Sequence, residues 1–350
     1  MIGVFAFSCV DHSEIQTKQN DMVGDGSVSS ANGKRGGSLF RDPSTDLYTG
    51  FNSTSGPTAF WNSIVTIPGI GTQVYSGISC WNIVDIKAVN FLGTSNPSLV
   101  SAFNGCTGAS LYRTEFGNSI PVGSGTRFFT ATAGESLVAI TGGDFNGDGI
   151  EEMVTAIQTN AGPRMFIGNG TSIGTQFYTG SSYWTITSVT SGDFNLDGID
   201  ELVCAFNGAN GPAFYNLKFS STLCCPVWSR PYLGTAGSTI SSVTATNIEG
   251  DAADELFVAV RIGGIPYIYK GNGATIGSPI FQGTSGQSIV HLEAGEFATG
   301  TSVLNRLFTA ITTTSGSQIY LSDGSSLGTL YYSGSASPTI KTIGIRYLPS

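Results

Sequence analysis

Two stretches of the chain, GGDFNGDGIEEMVTAI at 142–157 and SGDFNLDGIDELVCAF at 191–206, set oxygen-bearing side chains at alternate positions. In the first these are Asp144, Asn146 and Asp148, followed by Glu152. In the second they are Asp193, Asn195 and Asp197, followed by Glu201. A tight loop that turns every second side chain inward gathers such oxygens around one point. The arrangement suits Ca²⁺, which takes roughly six to eight oxygen ligands at about 2.3–2.6 Å. Gly149 and Gly198 stand where the turn must be sharpest, and glycine adopts φ > 0 at little cost. The backbone carbonyls of Ile150 and Ile199 then face the ion. A third loop keeps Asn247, Glu249, Asp251 and Glu255 in the same places, with Ala253 offering the carbonyl, but it carries Ala252 where the others have Gly. It is the weaker candidate. The loops after Phe91 and Phe297 lack the carboxylates and are expected to be metal-free turns. The chain's two histidines, His12 and His291, lie away from these loops in sequence, so the ions are expected to brace hairpins rather than to act in catalysis.

Each acidic loop joins two apolar runs, and that pattern recurs. The large apolar residue of the loop entrance appears as Phe40, Phe91, Phe145, Phe194, Ile248 and Phe297, at intervals of 49 to 54 residues. Every unit follows one order: a strand up to the marker (LVAITGGDF, ITSVTSGDF), a loop, and a second apolar strand (EMVTAI, ELVCAF). A Gly or Gly-Pro turn comes next, as at Gly162-Pro163 and Gly211-Pro212. A third, aromatic strand and a fourth ending in an aromatic before Gly complete the unit (TQFYTGSS, TLYYSGSA). Four short strands per repeat, with turn signals every few residues, describe a β-propeller blade. The last residues, TIKTIGIRYLPS, match a first strand with nothing after it, and the first unit has strands two to four but no clear first strand. The expected fold is all-β: a six-bladed propeller of four-stranded antiparallel blades over residues 36–350, closed by the C-terminal strand completing the N-terminal blade. Such closure removes the exposed edges on which other chains could pair.

The D-x-N-x-D-G-x-x-E loops between first and second strands resemble the FG-GAP and VCBS-type repeats of integrin α-chain propellers and of many bacterial surface proteins. In that family the first, third, fifth and ninth side chains and the seventh carbonyl hold Ca²⁺. The resemblance therefore implies one site of Asp144, Asn146, Asp148, Ile150 and Glu152, and another of Asp193, Asn195, Asp197, Ile199 and Glu201. The family's ninth residue is usually Asp; Glu here is one methylene longer.

Residues 1–8 are apolar and end at Cys9; the polar, Gly/Ser-rich sequence behind it lacks hydrophobic periodicity. This resembles a bacterial lipoprotein signal, with Cys9 as the lipidated residue and residues 1–35 as signal remnant and flexible tether, although the apolar run is short and no Lys or Arg precedes it. The reading implies an extracytoplasmic location at the cell envelope or surface, with membrane contact only through the lipid anchor. A formal net charge of −9 disfavours a nucleic-acid partner. Of the six cysteines, Cys204 lies in an apolar strand and reads as a buried small hydrophobe. Cys80 with Cys106, or one of Cys224 and Cys225 with another, are candidates for disulfides in an oxidising compartment.

Ligand binding is expected on the face opposite the acidic loops, where the turns between strands two and three meet the loops leading into the next blade. Trp81 and Trp184 hold the same repeat position there, with Tyr183 beside the second. These rings either stack on sugars or pack between blades, the commoner fate of a large residue at the start of a first strand. No nucleophile–base pair or carboxylate pair stands out for glycoside chemistry. The expected function is non-enzymatic recognition of a glycan or protein ligand at the cell surface. The alternatives are a carbohydrate-active enzyme, lyase or hydrolase, and a structural module of a surface assembly.

Overall fold

The computed structural model describes residues 44–63, 72–93, 97–115, 125–224, 226–251, 253–299 and 302–348. Cys9, the tether of residues 1–35 and the first marker, Phe40, lie outside them.

Among the described residues, 24 strands form six four-stranded sheets, all paired antiparallel. The first sheet contains β1 (Ser44–Asn52), β2 (Thr58–Ser63) and β3 (Thr72–Ser76). The second contains β4 (Asn82–Val89), β5 (Ser98–Gly105), β6 (Gly108–Thr114) and β7 (Thr126–Thr130). The third runs through β8 (Ser136–Gly143), β9 (Glu152–Thr159), β10 (Gly162–Gly168) and β11 (Thr175–Thr179). The fourth has β12 (Trp184–Gly192), β13 (Glu201–Gly208), β14 (Gly211–Lys218) and β15 (Val227–Leu233). The fifth has β16 (Thr239–Thr246), β17 (Glu255–Ile262), β18 (Ile265–Gly271) and β19 (Ile276–Gln282). The sixth has β20 (Ser288–Thr299), β21 (Ser302–Thr313), β22 (Gly316–Ser322) and β23 (Thr329–Ser333). The last strand, β24 (Thr339–Leu348), pairs with β1, so the first sheet runs β24-β1-β2-β3. The expected closure is present, with Ile343 opposite Thr49 and Leu348 opposite Ser44. The innermost strands pack blade against blade in the cycle β24, β4, β8, β12, β16, β20 and back to β24. This is a six-bladed β-propeller.

Burial follows position in the blade. Second strands lie between two neighbouring blades and are covered on both faces, so β5, β9, β13 and β17 each have six consecutive buried residues. A strand buried on both faces reads as a continuous apolar run rather than an alternation, as in ELVCAFNG and ELFVAVRI. Fourth strands form the rim, and TQVYS, TRFFT, TQFYT and TLYYS keep only two half-buried residues each.

Successive blades share no ladder of backbone hydrogen bonds, so polar side chains join them at repeat positions. Each inner strand shifts register once, and the residue just past the shift is Asp85, Ala139, Ser188, Ser242, His291 or Thr342. Five of these six reach the next inner strand. Asp85 Oδ2 accepts from Ile140 N–H (3.0 Å), Ser188 Oγ from Val243 N–H (3.1 Å) and Ser242 Oγ from Leu292 N–H (2.9 Å). His291 Nε2 lies 3.1 Å from the Ile343 carbonyl, and Thr342 Oγ1 donates to Asp85 Oδ1 (3.0 Å). His291 is thereby a partnered residue of the propeller's centre. A second seam uses amides: Asn52, Asn104 and Asn207 each accept from and donate to the backbone of Ile83, Leu137 and Ile240 in the next blade.

The closing strand is held at close range. A Cβ on Gly344 would lie 2.5 Å from the Ile86 carbonyl oxygen of the neighbouring blade, and Lys87 forms an ion pair with Glu293, joining the inner strands on either side of β24. Gly344→Ala should therefore lower stability by about 1–3 kcal/mol through overpacking. Gly286→Ala, at a site with nothing within 4 Å, should be close to neutral. Thermal unfolding of both variants checks this, and equal midpoints would refute the tight seam.

Candidate metal loops and aromatic face

The two strong acidic loops join β8 to β9 and β12 to β13. Their folding is local and carboxylate-driven. Asp144 accepts hydrogen bonds from the backbone N–H of Gly147 (2.7 Å), Asp148 (3.1 Å) and Gly149 (2.8 Å). Asn146 Oδ1 takes the Asp148 N–H and Asp148 Oδ1 takes the Ile150 N–H, each at 2.9 Å. The second loop repeats this through Asp193, Asn195 and Asp197. Gly149 and Gly198 have φ of 81° and 77°, the left-handed conformation that the sharp turn requires. The ninth residue closes each loop: Glu152 Oε2 accepts from Phe145 N–H at 3.2 Å and Glu201 Oε2 from Phe194 N–H at 3.1 Å. Ile150 is exposed and its side chain takes no part in this network.

The third loop behaves differently. Glu249, Asp251 and Glu255 bring a carboxylate oxygen each within 4.8 Å of one another, beside a cleft of about 290 Å³ that Ala253 also lines. Among the described residues, the loop that the sequence marks as weaker therefore has the tightest convergence of carboxylates.

The donor chemistry fits a hard cation, since the acidic side chains that converge in these loops offer carboxylate oxygens. In two loops a lysine supplies positive charge. Lys218 at the end of β14 pairs with Asp197 and lies 3.9 Å from Glu201; Lys270 on β18 pairs with Glu249 and lies 3.7 Å from Glu255. Lys218 is substantially exposed, so it can swing out. In the first loop Asn146 Nδ2 bridges Asp148 (3.2 Å) and Glu152 (2.7 Å) instead. These lysines were not among the residues that sequence reasoning singled out, because only strand pairing brings them beside the loops.

The eighth residue of each loop was also missed. Asp200 reaches back to the loop of the preceding blade: Asp144 N–H donates to Asp200 Oδ2 (2.8 Å), and Asp200 N–H donates to the Asp144 carbonyl (2.9 Å). Asp254 clasps Asp193 and Glu151 clasps Asn90 in the same two-way manner. The side chain of Asp144 is left to the loop while its backbone is pinned from the next blade. An acidic residue recurring just before the ninth position was the available signal.

Burial raises the pKa values of several loop carboxyls, and crowding by their neighbours adds to it. Burial pushes Glu152 up to about 7, with the charges of Asp148 and Asp144 adding to it. Burial likewise takes Asp200 to about 7 and Asp254 to about 6, aided by neighbouring carboxylates.

On the opposite face, Trp81 lies against Gly105 and edge-on to Phe103 (6.2 Å), while Trp184 lies against Gly208 and edge-on to Phe206 (6.3 Å). Both are half-buried, so the two tryptophans pack within the blade interfaces while keeping one side accessible. Tyr183 is 80% exposed. Cys80 and Cys106 form a disulfide between the loop leaving the first blade and a turn of the second. Cys204 is buried in the core with its Sγ 3.4 Å from Met165 Sδ, as a small hydrophobe should be.

The FG-GAP-like repeat family matches residues 124–204, which take in the first acidic loop and most of the second repeat. The chain is a six-bladed β-propeller, and residues 124–204 of it match the FG-GAP-like repeat. No curated protein is similar to it in sequence. Among solved structures, the Dos1 propeller is 11% identical over 84% of this chain and 72% of its own, with a TM-score of 0.43. The Bacillus licheniformis rhamnogalacturonan lyase PL11 is 12% identical over 85% and 65%, at 0.40. Apo AztD from Citrobacter koseri is 7% identical over 87% and 98%, at 0.39.

The raised carboxyl pKa values set a direction for pH. A carboxyl whose folded pKa exceeds its unfolded value stabilises the fold below about pH 4 and loses that contribution as pH rises through the folded value. In EGTA, the unfolding midpoint of the propeller should therefore fall as pH rises from 5 to 8. Asp200→Asn should flatten that fall, because it removes one raised carboxyl; an unchanged slope would contradict the assignment.

Proposed function

We propose that this propeller is a Ca²⁺-stabilised, extracytoplasmic recognition module that binds a glycan or protein ligand on the face opposite the acidic loops. The observation that carries the reading is Tyr183, a large ring 80% exposed beside the half-buried Trp184, on a face whose loops are otherwise rich in Ser, Asn and Gly. A flat ring with polar neighbours offers stacking area together with hydrogen-bonding groups, which is the chemistry of recognition rather than of bond cleavage. The Cys80–Cys106 disulfide supports an oxidising compartment, where such bonds persist. Cys9 is the proposed lipid anchor.

Ca²⁺ is proposed in the loop of Asp144, Asn146, Asp148, Ile150 and Glu152, in the loop of Asp193, Asn195, Asp197, Ile199 and Glu201, and in the loop of Asn247, Glu249, Asp251, Ala253 and Glu255. The ion braces hairpins that pin one blade to the next. An ion that binds only the folded state stabilises it by about 2.7 kcal/mol at a hundredfold excess over Kd. Excess Ca²⁺ should raise the unfolding midpoint relative to EGTA, and Asp148→Ala and Asp197→Ala should each remove part of the rise. Lys218→Met removes the competing ammonium and should tighten Ca²⁺ binding by the second loop. A midpoint indifferent to Ca²⁺ and EGTA would reject the metal reading.

Ligand recognition is tested on arrays of glycans and by capture of envelope proteins. Tyr183→Ala should abolish at least tenfold of the affinity, about 1.4 kcal/mol, while leaving thermal stability unchanged. Turnover of a polysaccharide that stops on substitution in this face would instead establish an enzyme.

A further inference from the structure

The residue that closes each acidic loop pairs with a fixed place on the first strand, and its character changes around the ring. Glu152 stands opposite Gly143, Glu201 opposite Gly192 and Glu255 opposite Thr246. The same register puts Ser98 opposite Val89 in the second blade and Arg306 opposite Gly295 in the sixth. Third strands bring further charge beside this place. Arg113 on β6 faces Val100, two residues past Ser98, and Lys270 on β18 faces Phe257, two residues past Glu255. Lys218 on β14 follows Leu217, which faces Leu202 next to Glu201. The third blade differs. It has Ile167, facing Val154, at the position of Arg113 and Lys270, and Asn169 at the position of Lys218. Among the described residues, no basic side chain forms an ion pair with Asp144, Asp148 or Glu152.

The basic groups are held with different firmness. The side chain of Lys218 is 42% exposed and that of Lys270 is 22% exposed; each pairs with one loop carboxylate and lies within 4 Å of the closing glutamate. Exposed pairs of this kind contribute little and part readily. Arg113 is fixed. Its Nε donates to Ser98 Oγ at 3.2 Å, its guanidinium lies 4.8 Å from the centre of the Phe91 ring, and it pairs with Glu115. Arg306 belongs to β21 itself, where its guanidinium donates to the Asn305 carbonyl at 3.1 Å. A divalent ion cannot share carboxylates with an ammonium a few ångströms away, because the two positive charges repel and compete for the same oxygens.

We infer that these tethered cations rank the loops for Ca²⁺. The loop of the third blade, with no basic side chain, fills first. The loops of the fourth and fifth blades fill only in exchange for Lys218 and Lys270, and those of the second and sixth blades, where arginine stands at the closing place, take no ion. The propeller then answers Ca²⁺ in two steps rather than one. The inference rests on the Ca²⁺ reading above and adds to it the residues that set the order of filling.

Titration calorimetry of the full chain with CaCl₂ tests the ranking. The native protein should show one tight site and two weaker ones, and Asp148→Ala should remove the tight step alone. Lys218→Met and Lys270→Met should each strengthen one weak site about five- to tenfold, whereas Lys218→Arg, which keeps the charge, should leave that site weak. Three equal sites in the native chain, more than three sites, or weak sites unmoved by either methionine in protein that unfolds cooperatively would overturn the ranking while the Ca²⁺ reading stands. No binding heat together with a midpoint indifferent to Ca²⁺ would overturn both.

Discussion

A propeller depends on the seam between blades, because no backbone ladder crosses it. Each seam brings a second strand covered on both faces against its neighbour, and apolar packing there supplies attraction without direction. Register has to come from polar groups. In this chain they are the amides of Asn52, Asn104 and Asn207 on one face, the residues past each register shift in the middle, and Glu151, Asp200 and Asp254 on the other face. All but Thr342, whose hydroxyl donates to the Asp85 carboxylate, satisfy backbone groups at a strand edge or loop that would otherwise be buried without a partner.

The acidic loops are part of that seam rather than ornaments on it. The first carboxylate organises its own loop by accepting three backbone N–H groups, and the eighth carboxylate of the next loop pins its backbone. Negative charge is therefore concentrated on one face at partly buried sites. Something positive must offset it. Lys218 and Lys270 do so in two loops, protons do so where burial raises the carboxyl pKa, and a divalent cation would do so more completely. The same electrostatic problem links loop chemistry to the cohesion of the ring.

The opposite face is free of that constraint and varies between blades. Its repeat positions hold Trp81 and Trp184 in like packing, yet Tyr183 stands out beside one and a disulfide half-cystine, Cys80, precedes the other. Variation on a regular frame is where recognition chemistry can be placed without cost to the ring.

The sequence alone determined the repeat, the blade count, the closure by the last strand and the identity of the loop carboxylates. These are periodic or local: burial on both faces writes a continuous apolar run, and a tight acidic loop writes its oxygen-bearing side chains at alternate positions. Tertiary structure decided what lies between blades. The pairing of Lys218 with the loop of Asp197, the clasp of Asp200 on Asp144, and the convergence of Glu249, Asp251 and Glu255 all join residues set by strand register or by the next repeat. A pattern read along the chain cannot carry such contacts, because the physical neighbour is some fifty residues away and is fixed only when the ring closes.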